Sequence, residues 1–189
     1  RDLRELASQG LCKRVYGGAV RASVEVPSFD HRVQHGAAAK AGLASGICAL
    51  FQPGQTIFLD AGTTNLAVAQ TLPEHAGLTI TTNAPQVAIA ASQRRGVNVQ
   101  LIGGLFVAES GAVLGAEALT QVQRLRMDVC VPGACALDPV TGVWAVNAEE
   151  AALKRQLVAN SSRVIVAASP EKLGTEGSYR IAELSEVDD

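Results

Sequence analysis

The sequence IFLDAGTTNLAVAQ, residues 57–70, passes from an apolar, strand-like run into Asp60, a glycine and two threonines, and then into a helical pattern. Gly62 permits a close approach of the backbone to a ligand. Thr63 and Thr64 place two hydroxyls beside the unpaired N–H groups of a helix start, where the helix dipole also favours an anion. A plain turn with a threonine N-cap fits equally well. The stretch alone therefore leaves a phosphate site and a structural turn as equal alternatives.

The same order of elements recurs along the chain, since an apolar strand ends in small or polar residues and a helix usually follows. This alternation predicts an α/β fold with a three-layer, mostly parallel sheet. Ligands of such sheets bind beyond the carboxyl ends of the strands. The predicted strands are 56–60, 78–82, 99–102, 128–131 and 163–167. The predicted helices are 36–52, 65–72, 85–94, 114–124 and 148–160.

The composition is that of a globular protein: 189 residues, 48% hydrophobic and 18% charged, are enough for one sizeable core. No apolar run reaches the roughly 18 residues of a membrane span, and the charged N-terminus is unlike a signal peptide. We therefore expect a cytoplasmic protein with no membrane partner. The four cysteines form no CxxC pair and are expected to be buried free thiols, and we expect neither a metal site nor a cofactor.

The N-terminal region is basic. Residues 1–21 have a formal charge of +3, whereas the whole chain has −2. Residues 1–10 are typical of the end of an amphipathic helix, and a strand, a Gly17-Gly18 turn and a second strand follow. One helix and a two-stranded ribbon bury too little to fold alone, so we expect more of this unit upstream. Residues 22–35 show little periodicity and are interpreted as a linker.

Two further strand ends have residues suited to ligand binding at the edge of the sheet formed by the carboxyl ends of the strands. We call this edge the rim. Thr82 and Asn83 precede a helix with Pro85 in its first turn, so Asn83 is either an N-cap or a contact for ligand hydroxyls. Gly103 and Gly104 follow the next strand, where they either leave a floor for a bound molecule or form a plain turn. Each pattern is ambiguous by itself, but together they favour a site at this edge of the sheet.

The densest charged stretch is VNAEEAALKRQLV, residues 146–158. Asn147 followed by Glu150 matches a capping box, and Lys154 lies four residues after Glu150, which predicts a weak surface ion pair. Lys172 follows a buried strand and is either a solvated lysine or a partner of a phosphate or carboxylate. Structural and ligand-binding interpretations remain open for these charged residues.

Taken together, the junctions resemble those of the DeoR family of bacterial transcriptional repressors, in that family's order. The matching segments are LDAGTT, TITTNAPQVA, LIGG, DVCVPGACALDPVTGV, EEAALKR and ASPEKLG. RDLRELASQGLCKRVYGGAV resembles the final helix and basic wing of the family's winged helix-turn-helix. The resemblance implies a truncated winged-helix remnant at 1–21, a linker at 22–35 and an effector-sensing domain at 36–189. The implied fold of the sensing domain is similar to those of ribose phosphate isomerase and the CoA transferases.

The resemblance implies a DNA-binding repressor of carbohydrate or related catabolic genes that senses a phosphorylated sugar or similar metabolite. Gly62, Thr63 and Thr64 would hold the phosphate, and Asp60 would orient the loop or a sugar hydroxyl. The other implied effector contacts are Thr82, Asn83, Gly103, Gly104, Glu150, Lys154 and Lys172. The implied DNA contacts, in a remnant too incomplete to bind an operator alone, are Arg1, Arg4, Lys13 and Arg14. Because operators are usually read by symmetric assemblies, we expect a homo-oligomer.

Two departures from the family pattern concern the rim. Ser169-Pro170-Glu171-Lys172 replaces the common D-S-S-K, which removes an expected polar contact. Trp144 stands where threonine is common and either stacks on a ligand or packs within the protein.

The alternative function is a sugar-phosphate isomerase on the same scaffold. Glu150 would be the base, and Lys154 or Lys172 would stabilise the enediolate. The isomerase's glycine-rich stretch with its lysine has no counterpart here, and only Asp138 remains of its acidic loop. We therefore expect no enzymatic activity. A pure assembly domain that associates through helix 36–52 is a third hypothesis, but it gives the rim no role.

Overall fold

The computed structural model describes residues 12–21 and 29–189. Its strands are β1 (Cys12–Val15), β2 (Gly18–Arg21), β3 (Thr56–Leu59), β4 (Thr79–Thr82), β5 (Asn98–Leu101), β6 (Leu105–Val107), β7 (Ala112–Leu114), β8 (Met127–Val131), β9 (Ala136–Asp138), β10 (Gly142–Ala145), β11 (Ser161–Val164) and β12 (Tyr179–Ala182). Its α-helices are α1 (Phe29–Gln34), α2 (Ala37–Ala49), α3 (Thr63–Thr71), α4 (Pro85–Ser92), α5 (Ala116–Gln123) and α6 (Ala148–Ala159). Short 3₁₀ turns lie at Pro170–Lys172 and Leu184–Glu186.

The N-terminal hairpin is confirmed. β1 and β2 pair antiparallel around a turn at Tyr16 and Gly17, and Gly17 has a φ of 88°, which glycine adopts without strain. Lys13 and Arg14 lie on β1. The predicted helix before this hairpin, with Arg1 and Arg4, lies outside the described residues.

The predicted parallel α/β sheet is also confirmed. Within the described part of the chain, the main sheet has five parallel strands in the order β11-β8-β3-β4-β5. From β3 the chain winds outward through β4 to β5, and it then returns to the other side of β3 to form β8 and β11. The direction of winding therefore reverses between β3 and β8.

Helices cover both faces of this sheet, which completes the three layers. Ile57 and Leu59 belong to a core shared with helices α2, α3 and α4, whereas Phe58 belongs to a second core with α5 and α6. Alternate side chains of a strand point to opposite faces, and all three residues are fully buried. β3 is thus apolar throughout because it is buried on both sides.

Several elements differ from the sequence-based expectation. Residues 29–34, predicted as linker, form α1, and the Phe29 ring packs so close to Gly111 that a β-carbon there would lie 2.9 Å from it. The predicted helix 114–124 begins only at Ala116 because Ala112–Leu114 pairs with β6. The antiparallel sheet β12-β10-β9 was not predicted as a separate unit. These additions are short elements with weak periodicity.

The structure describes the side chains of three of the four cysteines: Cys130 is buried as predicted, whereas Cys48 and Cys135 are half-buried. Cys48, Cys130 and Cys135 are free, and burial raises the pKa of Cys130 to about 12 and that of Cys48 to about 11. Among the described helices, none has the length and apolar character needed to cross a bilayer.

Candidate functional site

The loop after β3 lies where the winding of the sheet reverses. Asp60 follows β3, and Gly133 lies just beyond the end of the neighbouring strand β8. Asp60 Oδ2 accepts a hydrogen bond from the Gly133 N–H at 2.8 Å, and Oδ1 accepts one from the Ala61 N–H at 2.8 Å. Open α/β sheets bind ligands in the crevice at such a reversal point. The two loops therefore form one unit at the position where a ligand is expected.

A buried ion cluster lies beneath this loop. Lys154 Nζ lies 3.0 Å from Glu150 Oε2 and 3.6 Å from Asp60 Oδ2, and Lys154 and Asp60 are only 4% and 1% exposed. The predicted ion pair between Glu150 and Lys154 is therefore confirmed, but its predicted position at the surface is wrong, since Lys154 is buried. The capping-box prediction is half right: the Asn147 side chain accepts hydrogen bonds from the first turn of α6, but the Glu150 carboxylate binds Lys154.

The cluster places one cation between two carboxylates, so its formal charge is −1 when both carboxylates are ionised. Burial raises the pKa of the Asp60 carboxyl, and the Lys154 ammonium and the Gly133 N–H oppose that rise. Burial alone would lower the pKa of Lys154, but the Asp60 and Glu150 carboxylates outweigh it and hold that pKa above its usual value. Lys154 therefore stays charged and is neutralised by its two acidic partners. In this arrangement Lys154 ties helix α6 to the loop after β3.

The start of α3 is open. Gly62 is its N-cap residue, with φ 152° and ψ 152°, and no side chain caps the first turn. The structural alternative in which Thr63 or Thr64 is the N-cap is therefore wrong. The first N–H groups of a helix have no intrahelical partner, and a β-carbon at Gly62 would meet nothing within 4 Å. The space beside Gly62 itself is therefore open to an anion.

The Asn65 side chain anchors the loop after β3, and this role was not predicted from the sequence. Asn65 is buried, and its Nδ2 donates to the Asp60 carbonyl at 2.9 Å and to the Val131 carbonyl at 2.8 Å. One side chain thus ties the ends of β3 and β8 together. The sequence signal was weak because an asparagine in the first turn of a helix usually has a local role.

Asn83 joins the next strand end to the same loop. Its Oδ1 accepts from the Ala61 N–H at 3.0 Å, and Ala84, not Asn83, is the N-cap of α4. Thr82 is buried, and its Oγ1 accepts from the Ala84 N–H at 3.1 Å. Asn83 Nδ2 is buried with no hydrogen-bond partner in the described structure. A buried donor of this kind is costly unless something accepts from it.

Two further cations lie near each other at the rim. Lys172 is half-buried, its Nζ donates to the Ala134 carbonyl at 2.8 Å, and burial followed by the nearby Arg32 guanidinium lowers its pKa. Arg32 lies on α1, in the segment predicted as linker, so sequence analysis did not consider it. In residues 169–172, which replace the common D-S-S-K, the Ser169 hydroxyl donates to the Glu171 carboxylate at 2.5 Å.

Gly103 and Gly104 have a packing role. The Gly103 N–H donates to Gln121 Oε1 at 3.0 Å, and a β-carbon at Gly104 would lie 2.8 Å from the Leu114 carbonyl oxygen. Close approach of the backbone to β7 thus accounts for the glycine at 104. For Trp144 the structure shows the packing alternative, since the ring is half-buried and its Nε1 donates to Thr141 Oγ1 at 3.1 Å.

Other features contribute little to this site. Within residues 12–21 and 29–189, no group of three or more His, Cys, Asp or Glu side chains could hold a metal ion. A surface depression between α6 and β12, lined by Arg155, Ile181 and Glu186 among others, includes none of the predicted site residues.

Comparisons with known proteins identify the family to which the chain belongs. Residues 36–189 match the family model described as the DeoR C terminal sensor domain. The chain is 31% identical to the HTH-type transcriptional regulator GlpR of Haloferax volcanii, over 100% of this chain and 74% of that protein. It is 30% identical to the glycerol-3-phosphate regulon repressor of Escherichia coli K12, over 100% of this chain and 75% of that protein.

A solved structure supports the expected fold. Ribose 5-phosphate isomerase A from Methanocaldococcus jannaschii aligns with a TM-score of 0.51 at 14% identity, over 72% of this chain and 54% of that one. At this identity the likeness concerns the fold alone. The sequence relatives are transcriptional regulators and not enzymes, as the sequence analysis expected. The chain belongs to the DeoR family of transcriptional regulators, and residues 36–189 correspond to the family's sensor domain.

Proposed function

We propose that this repressor senses a phosphate ester, with the phosphate on the N–H groups of Gly62, Thr63 and Thr64. The observation that supports this most directly is the uncapped start of α3 at the reversal point of the sheet. Backbone N–H groups and the helix dipole together favour a phosphate there. The Thr63 and Thr64 hydroxyls add donors beside them.

The distribution of charge supports a divided site. Asp60 and Glu150 neutralise Lys154, so this lysine has little attraction left for an anion. Lys172 has only a neutral carbonyl as its described hydrogen-bond partner, and we assign it to the phosphate. The buried Asn83 Nδ2 needs a hydrogen-bond acceptor. A hydroxyl oxygen on the sugar or polyol part of the ester would supply one. We keep Asp60, Thr82, Glu150 and Lys154 as residues that shape the site. Gly103 and Gly104 remain proposed contacts without further support.

The relatives suggest a class of ligand to test first. One of them is a glycerol-3-phosphate regulon repressor, and another is a putative aga operon transcriptional repressor from Escherichia coli O157:H7, 30% identical over 99% of this chain and 71% of that protein. Phosphorylated polyols and sugars are therefore our first candidates.

The basic hairpin is the proposed connection to DNA. Lys13 and Arg14 on β1 would contact operator phosphates, together with Arg1 and Arg4, in a cytoplasmic protein. Binding that depends on such contacts weakens steeply with salt. Occupation of the sensor site would then alter the affinity for the operator.

The ligand proposal is tested by calorimetry and thermal unfolding with a matched panel. Glycerol 3-phosphate and hexose 6-phosphates are compared with glycerol, free hexoses and inorganic phosphate. A ligand at one hundred times its dissociation constant stabilises the protein by about 2.7 kcal/mol. We expect this from at least one phosphate ester and not from its unphosphorylated partner. If no ester in the panel binds, the proposal is wrong.

Two variants locate the site. Thr63→Val and Lys172→Gln should each weaken binding of the active ester by about tenfold or more, because each removes a charged or polar donor to the phosphate. Thr71→Val is the matched control, since this exposed threonine lies at the other end of α3 and its hydroxyl donates to the Ala67 carbonyl. Equal affinities of the Thr63 and Thr71 variants would argue against the assigned phosphate position.

A further inference from the structure

An uncovered apolar surface lies at the open edge of the main sheet. β5 is the last strand in the sheet order, so among the described strands only β4 pairs with it. Leu101 at the end of β5, Leu105 and Phe106 on β6, and Ile89 on the adjoining helix α4 are between 47% and 70% exposed. We call these four side chains the edge patch. Helix α4 packs in one core and the β6–β7 hairpin in the other, so these side chains flank the edge strand on both faces of the sheet. Together they leave on the order of 450 Å² in solvent, divided between the two faces.

The backbone at this edge is ready to pair. The Asn98 N–H donates to the Leu78 carbonyl and the Ile102 N–H to the Thr82 carbonyl, at 2.8 and 2.9 Å, so both point toward β4. Because successive residues of a strand alternate in direction, the N–H groups of Val99 and Leu101 point to the open side. An edge of this kind is a template for another strand.

Protection of the edge by charge or proline is missing, although β5 is short at four residues. Native proteins commonly place lysine or other charged side chains, or proline, on exposed edges to prevent pairing. Residues 97–107, VNVQLIGGLFV, contain no ionisable residue and no proline. The segment is therefore suited to be covered in the assembled protein.

The neutrality of the segment points to a second copy of the same chain as the partner. At a two-fold axis, a residue near the axis meets the same residue of the partner, so a charged surface repels itself. An uncharged segment has no such penalty. Antiparallel pairing of β5 with the β5 of the partner also satisfies two-fold symmetry, since each strand then makes the same bonds to the other.

We propose that β5 and the edge patch form a symmetric dimer interface in which the main sheets of two copies become continuous. The apolar patch supplies part of the roughly 800 Å² per partner that a standard interface buries, and the edge backbone with its polar neighbours supplies the rest. The surface is separate from the phosphate site proposed above and does not depend on it.

The test is the oligomeric state of the 189-residue chain, measured by sedimentation and light scattering over a range of concentrations. Leu105→Glu and Leu101→Lys should each raise the dimer dissociation constant by about tenfold or more, because they bury charge at a central apolar contact. Val140→Glu is the control, since Val140 is 88% exposed in the turn between β9 and β10. Circular dichroism and thermal unfolding verify that each variant is folded.

A charge-swap pair makes the test independent of any one variant. Leu101→Lys and Leu101→Glu should each dimerise more weakly than the unmodified chain, and a mixture of the two should dimerise more tightly than either variant alone. Amide exchange in residues 98–107 of the unmodified chain should slow as protein concentration rises. A chain that is monomeric at every concentration would overturn the proposal. So would a dimer that survives both Leu101 variants with unchanged affinity.

Discussion

Replacing Lys154 by methionine removes the one cation of the buried cluster while keeping a side chain of similar length. The carboxylates of the buried Asp60 and the half-buried Glu150 would then lie near each other without their shared counter-ion. Two N–H groups would still donate to Asp60, but neutral donors do not balance two negative charges. Loss of one partner from a buried ion pair typically costs about 3–5 kcal/mol of stability. The Lys154 and Asp60 side chains are 5% and 1% exposed, so solvent screening reduces this little.

The loss should depend on pH in a defined direction. Burial already raises the pKa of Asp60 above its ordinary value of 3.8, and removing the ammonium raises it further. An acid with a raised pKa in the folded state destabilises the protein at pH values above its unfolded pKa, and protonation removes that penalty on acidification. The deficit of the variant should therefore be largest near neutral pH and shrink toward pH 4.

Urea unfolding at pH 7 and pH 5, followed by circular dichroism, measures both quantities. Arg155→Met is the matched control, because Arg155 is the next residue of α6 and exposed, and its guanidinium bonds only a carbonyl among the described contacts. We expect it to change stability by about 0.5 kcal/mol or less beyond the loss of that one bond. A deficit for Lys154→Met below about 1 kcal/mol at pH 7, or one that does not shrink on acidification, would refute the buried-cluster argument.

Three further outcomes follow from the same contacts. Gly133→Ala should lower the free energy of unfolding in urea by about 1–3 kcal/mol, because the added β-carbon would lie 2.6 Å from the Ala61 carbonyl oxygen. Gly46→Ala on α2 is the control: open space surrounds that position, and the change should stabilise the protein by about 0.5–1 kcal/mol. Asn65→Ala should lower stability by about 1–3 kcal/mol in the same assay, since two buried carbonyls lose their shared donor. Cys130, buried and with its pKa raised to about 12, should resist alkylation in the native protein and react on unfolding, as peptide mapping by mass spectrometry would show.

The local elements of the fold were predictable because their patterns are local. Residues 57–59 form an apolar run ended by a glycine-containing turn, and the helix that follows begins within two residues of its predicted start. Short pieces such as α1 and the β6–β7 hairpin were missed because six or fewer residues per element leave too little periodicity to detect.

The order of the strands was not predictable from these patterns. An apolar strand reveals that it is buried but not which strand lies beside it. The contact between Asp60 and Gly133, which are far apart in sequence, exists only because β8 inserts next to β3. The loop after β8 therefore received no role in the sequence analysis, although its N–H holds the central carboxylate of the site.

The burial of the charged residues was also not predictable from the sequence pattern. A spacing of four placed Glu150 and Lys154 on one helix face but did not say which face is buried, and lysine is normally assigned to solvent. The neighbouring Asp60 and Glu150 carboxylates make the burial of Lys154 tolerable, and Asp60 comes from a distant part of the chain. Because this lysine is already neutralised, the attraction for a phosphate in our proposal must come from the open start of α3 and from Lys172. A test of effector binding that varied Lys154 alone would therefore report on the stability of the loop before it reported on the ligand.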